Sequence, residues 1–224
     1  SLVLGNYHVR KQPQSINSIN AVKLDRAYEI YKERFSDASG FNFFFVGNID
    51  FETMKPLLEK YLGSLPSKGL KEKARDLNIN IPAGRIAKTV YKGTAQKSSV
   101  MLVYSGPFDY SFDNTFKMNA IADALKISIT QRLRDQEGGT YTPNVQMSMT
   151  KYLKSRFSLT ISFDCAPQNV DQLIALAQDE LNKMRMTGPS AENLQKFKAV
   201  SKSGLQTGST NNGYWLDYLV SRSI

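Results

Sequence analysis

Apolar residues recur at intervals of three and four in the middle of the chain, which is the spacing of one face of an α-helix. The residues on this face are Met118, Ile121, Leu125, Ile129 and Leu133. Gly138 and Gly139 follow and predict the end of the helix, because glycine adopts the left-handed conformation of helix ends without steric cost. An alternating strand is predicted to begin at Tyr141. These predictions place Arg134 in the last helical turn and Tyr141 at the mouth of the strand, where both side chains can face the same space.

The pattern after residue 84 predicts a small sheet and a few helices. Two strands are predicted over 85–92 and 98–104, ahead of the long helix. After the strand from Tyr141 comes another with one apolar face, formed by Phe157, Leu159, Ile161 and Phe163. Pro167 opens a helix, and Ser190 caps the next. Because so few helices can cover only one face, we predict a two-layer α+β domain over 85–224 with a mixed or mostly antiparallel sheet.

The first third of the chain has a different pattern. A helix is predicted over 23–35, a strand over 41–46, and a second helix is predicted to be capped by Asp50. The segment 67–84 has no sustained periodicity, contains glycine and proline, and is predicted to be a linker. We therefore predict that residues 1–66 form a helix–strand–helix tail of a preceding domain.

Composition and charge change this picture little. The formal net charge of +9 suggests a nucleic-acid-binding module, but the basic residues are spread out and the compact aromatic-plus-basic signatures of RNA-binding folds are missing. Apolar runs fall well short of the roughly 20 residues that span a bilayer. We therefore predict neither a nucleic-acid partner nor a membrane span. The single cysteine, Cys165, excludes an internal disulfide and is predicted to be a small, partly buried hydrophobe.

The sequence lacks the residues of a complete hydrolase site. Catalytic zinc sites use three protein ligands, commonly with a pair of histidines, and this chain has one histidine, His8, in a polar stretch. A Ser-His-Asp triad would depend on the same residue, and no Gly-x-Ser-x-Gly elbow occurs. We therefore expect this chain to contain no catalytic residue and to bind no metal or cofactor by itself.

The segment Leu133–Tyr141 resembles the Leu-Arg-Glu-x-x-Gly-x-x-Tyr signature of the pitrilysin/insulinase family of zinc metallopeptidases. Here it reads Leu-Arg-Asp-Gln-Glu-Gly-Gly-Thr-Tyr, with Asp135 in place of glutamate. Residues 24–35, 43–48 and 61–66 resemble the helix, strand and helix that precede the family's non-catalytic domains. The closing Asn-Gly-Tyr-Trp, residues 212–215, resembles the end of its long bacterial members. The resemblance implies a piece of a longer protein, the end of the third of four similar domains and the fourth.

The same resemblance implies a function. In the family, zinc is held by a His-x-x-Glu-His helix of the first domain, so zinc is expected in the parent protein and not in this chain. Arg134 and Tyr141 are implied to reach across a closed chamber to the zinc-bearing N-terminal half, bind peptide substrate and stabilise the oxyanion of the transition state. We therefore expect the C-terminal, non-catalytic, substrate-binding portion of a zinc metalloendopeptidase, located in the periplasm or cell envelope.

An alternative is a catalytically inactive relative with a structural or partner-binding role, because some members of this family have lost the zinc motif. An intact His-x-x-Glu-His elsewhere in the parent protein would decide between the two.

Overall fold

The chain forms two compact units. The computed structural model describes residues 5–136 and 143–223. The first unit consists of Ser1–His8 and Asp76–Lys202, and the second of Val9–Arg75 and Ser203–Ile224. The domain boundaries predicted from the sequence, with a linker over 67–84 between the tail 1–66 and the domain 85–224, stay a prediction.

Within the described residues, three strands and seven α-helices follow one another along the chain. The strands are β1 (Ser98–Pro107), β2 (Asn144–Thr150) and β3 (Arg156–Cys165). The helices are α1 (Ile16–Asn20), α2 (Leu24–Phe35), α3 (Phe51–Tyr61), α4 (Phe112–Thr130), α5 (Val170–Thr187), α6 (Ala191–Gly208) and α7 (Asn212–Ser223). A π-helical segment, Gln131–Gln136, continues α4, and short 3-10 turns occupy Val9–Lys11 and Pro167–Asn169.

The three strands form one antiparallel sheet in the order β1-β3-β2. Ile161 of the central strand pairs with Leu102 on one side and with Val145 on the other. The alternation predicted for β3 is observed, since Leu159, Ile161 and Phe163 are buried while the residues between them are half-buried. The predicted α+β class, with a mostly antiparallel sheet, is therefore confirmed.

The core of the first unit lies between this sheet and the helices α4 and α5. Its fully buried members come from both layers: Leu125, Ile129, Leu133, Ile161 and Leu173. Cys165 belongs to the same core and is 7% exposed, which confirms its prediction as a small hydrophobe. The apolar stripe of α4 thus packs against the sheet as its spacing predicts.

Polar caps fix the ends of these helices. The Ser111 hydroxyl accepts a hydrogen bond from the amide of Asn114 at the start of α4. Ser190 caps α6 as predicted, because its hydroxyl accepts from the Asn193 amide at 3.1 Å. The Asn193 side chain is buried and donates to the Ser128 hydroxyl of α4 at 3.1 Å, which ties the beginning of α6 to α4.

Two predicted strands are absent from the sheet. Residues 41–46 and 85–92 both have high β-propensity, but neither pairs with another segment in the described part of the chain. Val90 and Tyr91 are 84% and 93% exposed. The physical reason is that β-propensity measures fit to a pleated, partly buried surface and does not create the partner strand that the backbone requires.

The beginning of the predicted linker is fastened to the second unit by one carboxylate. Asp37 accepts hydrogen bonds from the amides of Lys68 at 2.9 Å and Leu70 at 3.1 Å. A hydrogen bond from the Ser39 hydroxyl, together with the Lys68 amide, holds the pKa of the Asp37 carboxyl well below its usual range. Because the folded-state pKa is lowered, this stabilisation is present above the unfolded pKa of about 3.9 and is lost as the pH falls through the folded value.

This arrangement predicts where trypsin first cuts the 224-residue chain near pH 8, where Asp37 is ionised. Cleavage is expected after Lys71, Lys73 or Arg75, and later after Lys68, whose own amide is held by Asp37. Asp37→Asn should bring the Lys68 site into the first set of cuts. Mass spectrometry of early digestion products reads out the order, and first cuts inside α4 would contradict the assignment.

Candidate functional site

The candidate site lies where α4 ends. The α-helix stops at Thr130, and the chain continues through the π-helical segment Gln131–Gln136. Within this segment Leu133 is fully buried in the core, while the side chain of its neighbour Arg134 is exposed. Arg134 therefore lies on the solvent side of a turn that Leu133 anchors in the core, as the helical spacing of the apolar residues predicts.

The apolar spacing of the sequence does not predict the π-helical geometry. A π-helix adds one residue to a helical turn, and such segments are frequent at functional sites. The apolar spacing up to Leu133 is compatible with an ordinary α-helix, so it carries no signal for the extra residue. The spacing does predict that Leu133 is buried, and this burial orients the π-helical segment.

Tyr141 lies outside the described residues, as do Gly138 and Gly139. Its predicted position opposite Arg134 therefore stays a prediction. The chain is described again from Pro143, which is fully buried, and Val145 is 7% exposed at the start of β2. Leu133 before the undescribed residues and Pro143 after them are thus both fully buried.

A shallow depression of about 550 Å³ lies between α4 and β2. Its polar lining comes from both elements: Asn119, Asp123, Gln146 and Ser148. In the described part of the chain β2 pairs with β3 on one side only, so its other side is a sheet edge. An open edge presents backbone donors and acceptors to which an extended peptide can add as a further strand.

Elsewhere in the first unit, an ion pair and a hydrogen bond link the ends of neighbouring strands around Asp164. The Lys97 ammonium lies 2.9 Å from the Asp164 carboxylate, and the Ser99 hydroxyl also donates to it at 2.5 Å. Lys97 and Ser99 hold the pKa of Asp164 below its usual range. Next to it, burial raises the pKa of the Cys165 thiol, so this cysteine is a poor nucleophile at neutral pH.

The chain does not fit the zinc site of the resembling peptidases. Among the described residues, no three histidine, cysteine, aspartate or glutamate side chains converge as metal ligands. His8, the single histidine of the sequence, is half-buried in the N-terminal segment, and its amide donates to the carbonyl of Gly5. One histidine cannot supply the histidine pair of that site.

In the described residues, no helix is long and apolar enough to cross a membrane.

Residues 21–200 match the family described as the peptidase M16 inactive domain. The chain belongs to this family. The resemblance of its signature segment to the pitrilysin/insulinase peptidases is thereby confirmed, although the match assigns no role to Arg134 or Tyr141.

Known relatives of this M16 inactive domain are much longer proteins. A zinc protease PQQL-like protein of Arabidopsis thaliana is 23% identical over 93% of the chain and 23% of its own length. A probable zinc protease PqqL of Haemophilus influenzae is 24% identical over 87% of the chain and 20% of its own length. The chain thus spans about a fifth of these relatives.

Solved structures share the fold of this M16 inactive domain. The periplasmic protease PqqL of Escherichia coli superposes with a TM-score of 0.69 and 19% identity, over 78% of this chain and 19% of that one. A peptidase M16 inactive domain of Pseudomonas fluorescens superposes with a TM-score of 0.67 and 16% identity, over 97% of this chain and 51% of that one. At such identities the likeness concerns the fold.

Proposed function

We propose that this chain is the non-catalytic, substrate-binding part of a zinc metalloendopeptidase, and that Arg134 and Tyr141 contact the peptide being cleaved. The observation that carries the proposal is the exposed Arg134 next to the fully buried Leu133. This pairing places a guanidinium at the surface beside a side chain that is anchored in the core, as a substrate-positioning group requires.

Arg134 and Tyr141 would bind the substrate and stabilise negative charge on it. A guanidinium and a phenol both donate hydrogen bonds, and neither supplies a base for activating water at neutral pH. In the parent protein they would hold a peptide carbonyl and stabilise its oxygen as negative charge develops in the transition state. Zinc would be bound, and water activated, by another part of the parent protein.

The open edge of β2 supports a peptide rather than a small molecule as the ligand. The depression beside it is shallow and mixed in polarity, unlike the enclosed apolar pockets that bind most small ligands. Relatives named as zinc proteases, and one named as a periplasmic protease, are consistent with a peptidase parent in the periplasm or cell envelope.

A photo-crosslinking experiment on the parent protein tests the contact directly. Benzoylphenylalanine is placed at Arg134, and fluorescein-labelled casein is added after zinc has been removed with phenanthroline, so that the substrate is not cut. We expect a fluorescent adduct, because the probe would lie within reach of bound polypeptide.

The matched control carries the probe at Lys126, which is exposed on the same helix. Eight residues separate the two sites, or roughly 12 Å at 1.5 Å per residue. Equal labelling at both positions, or none at Arg134, would contradict a substrate contact at the end of the helix.

A further inference from the structure

The depression between α4 and β2 contains a carboxylate that the proposed function does not use. Among the described residues that line the depression, Asp123 is the only charged one. The other polar residues of the lining are uncharged: Asn119, Gln146 and Ser148. Because the whole chain has a formal net charge of +9, the charge at this depression is opposite in sign to that of the protein as a whole.

Asp123 forms no ion pair in the part of the chain that the structure describes. By contrast, Asp113 of the same helix is paired with Lys117. Lys126 follows Asp123 by one turn, but it is not among the described residues of the lining. The Asp123 side chain is exposed, so its carboxylate is available to a cation that approaches the depression from solvent.

The helix places this carboxylate next to the open edge of β2. Residues four apart lie on one face of an α-helix, so Asn119 and Asp123 are neighbours along the same side of α4. Between them in the sequence, Ala122 is buried in the core that also contains Val145 of β2. Asp123 therefore lies at the border between the core and solvent, beside the strand.

An extended peptide that adds to this edge would bring alternate side chains toward Asp123. Residues directly opposite each other in a strand pair have their side chains on the same face of the sheet. Val145 is buried in the core below α4, and Met147 packs against that core. The peptide residues opposite Val145 and Met147 would therefore point to the helix side of the sheet, where Asp123 lies.

We propose that the depression selects polypeptides with a lysine or arginine at a position opposite Val145 or Met147, and that Asp123 pairs with this basic side chain. The inference rests on the proposed function, because it requires a peptide at the edge of β2. Main-chain hydrogen bonds at a strand edge give affinity for many sequences, and side-chain sites beside the strand give specificity. A carboxylate accepts charge-assisted hydrogen bonds from a basic side chain and disfavours an acidic one.

Peptide binding by the parent protein tests the inference. Zinc is removed with phenanthroline, and the binding of two fluorescein-labelled peptides is measured by fluorescence anisotropy. Both peptides consist of serine, threonine and valine, except that one has a central lysine and the other a central glutamine. The Kd of the lysine peptide is expected to be about two- to fivefold lower, the range of one solvent-accessible ion pair. High salt should reduce the difference, because it screens exposed charges.

Substitutions on α4 assign the preference to one carboxylate. With Asp123→Asn, the two peptides should bind equally well. Asp113→Asn is the matched control and should retain the lysine preference, because Asp113 lies outside the lining and is paired with Lys117. With Asp123→Lys, a peptide with a central glutamate should bind more tightly than the glutamine peptide, and the melting temperature of each variant shows that it is folded.

Three results would overturn the proposal. The first is an undiminished lysine preference in Asp123→Asn. The others are equal binding of the lysine and glutamine peptides by the unaltered protein, and binding of neither peptide.

These measurements are independent of a contact between Arg134 and the substrate. A missing crosslink at Arg134, together with a lysine preference that depends on Asp123, would contradict the contact at the helix end and support the peptide at β2. A crosslink at Arg134 without any lysine preference would support the contact at the helix end and contradict the role of Asp123.

Discussion

Leu133→Ala is expected to lower the free energy of unfolding by about 2–5 kcal/mol. Leu133 is fully buried in the core that α4 and α5 form with the sheet, so its removal leaves a cavity among side chains that cannot close completely. The π-helical segment would also lose the anchor that holds it to the core. Urea denaturation of the parent protein, followed by circular dichroism, measures the effect.

Two controls give this prediction its specificity. Leu133→Met keeps the volume approximately and should cost less than about 1.5 kcal/mol. Lys126→Ala removes an exposed side chain of the same helix and should change stability by no more than about 0.5 kcal/mol. A loss at Leu133→Ala as small as that at Lys126→Ala would mean that the side chain is not in the core.

Arg134→Ala and Tyr141→Phe in the parent protein are expected to have the opposite profile. Removing one hydrogen-bond donor to a developing oxyanion typically raises the barrier by about 2.7–4 kcal/mol, which is roughly a hundred- to a thousandfold in kcat. Because Arg134 is exposed, its loss should change stability by no more than about 0.5 kcal/mol. Turnover of a fluorogenic peptide and the melting temperature, measured on the same preparations, separate the two effects.

The contrast between kcat and stability decides the role of each residue. If Tyr141 is a packed residue with a structural hydrogen bond, Tyr141→Phe lowers the melting temperature and leaves turnover per folded molecule intact. Arg134→Lys is a useful companion, since it keeps the charge but loses the planar pair of donors and should recover only part of the activity. Normal turnover in both Arg134→Ala and Tyr141→Phe would contradict the proposed site.

The first unit was largely predictable because burial dictates its pattern. In β3, Leu159 and Ile161 alternate with polar residues, so only one face of the strand can turn those side chains toward a core. In α4, Leu125 and Ile129 recur at helical spacing and are fully buried. A pattern with one buried face specifies both the type of element and its orientation.

The second unit was less predictable because its apolar residues have no partner in the described chain. The residues 41–46 are as apolar as a central strand, yet strand formation requires hydrogen bonds from a neighbour that the pattern cannot provide. The segment 85–92 differs from prediction for the same reason. In both cases the local β-propensity is high, and the described residues contain no strand that pairs with the segment.

The site itself was predicted in part. The position of Arg134 on the outer side of the last helical turn follows from the spacing of the apolar stripe, and the structure agrees. Its pairing with Tyr141 came from resemblance to a peptidase signature, and no periodicity specifies it. The π-helical turn had no sequence signal, because one additional residue in a turn alters hydrogen bonding without altering which residues are apolar.

That additional residue has a consequence for how such domains can diverge. Successive residues of an α-helix are rotated by about 100° around its axis, so deleting one residue between Thr130 and Leu133 would restore α-helical bonding while rotating everything that follows. Arg134 would then stand four residues after Ile129, the spacing of the buried stripe, and its guanidinium would turn from the surface toward the core. Insertions and deletions should therefore be tolerated in the polar stretch 71–75 and selected against at the end of α4, even among relatives that share few identical residues.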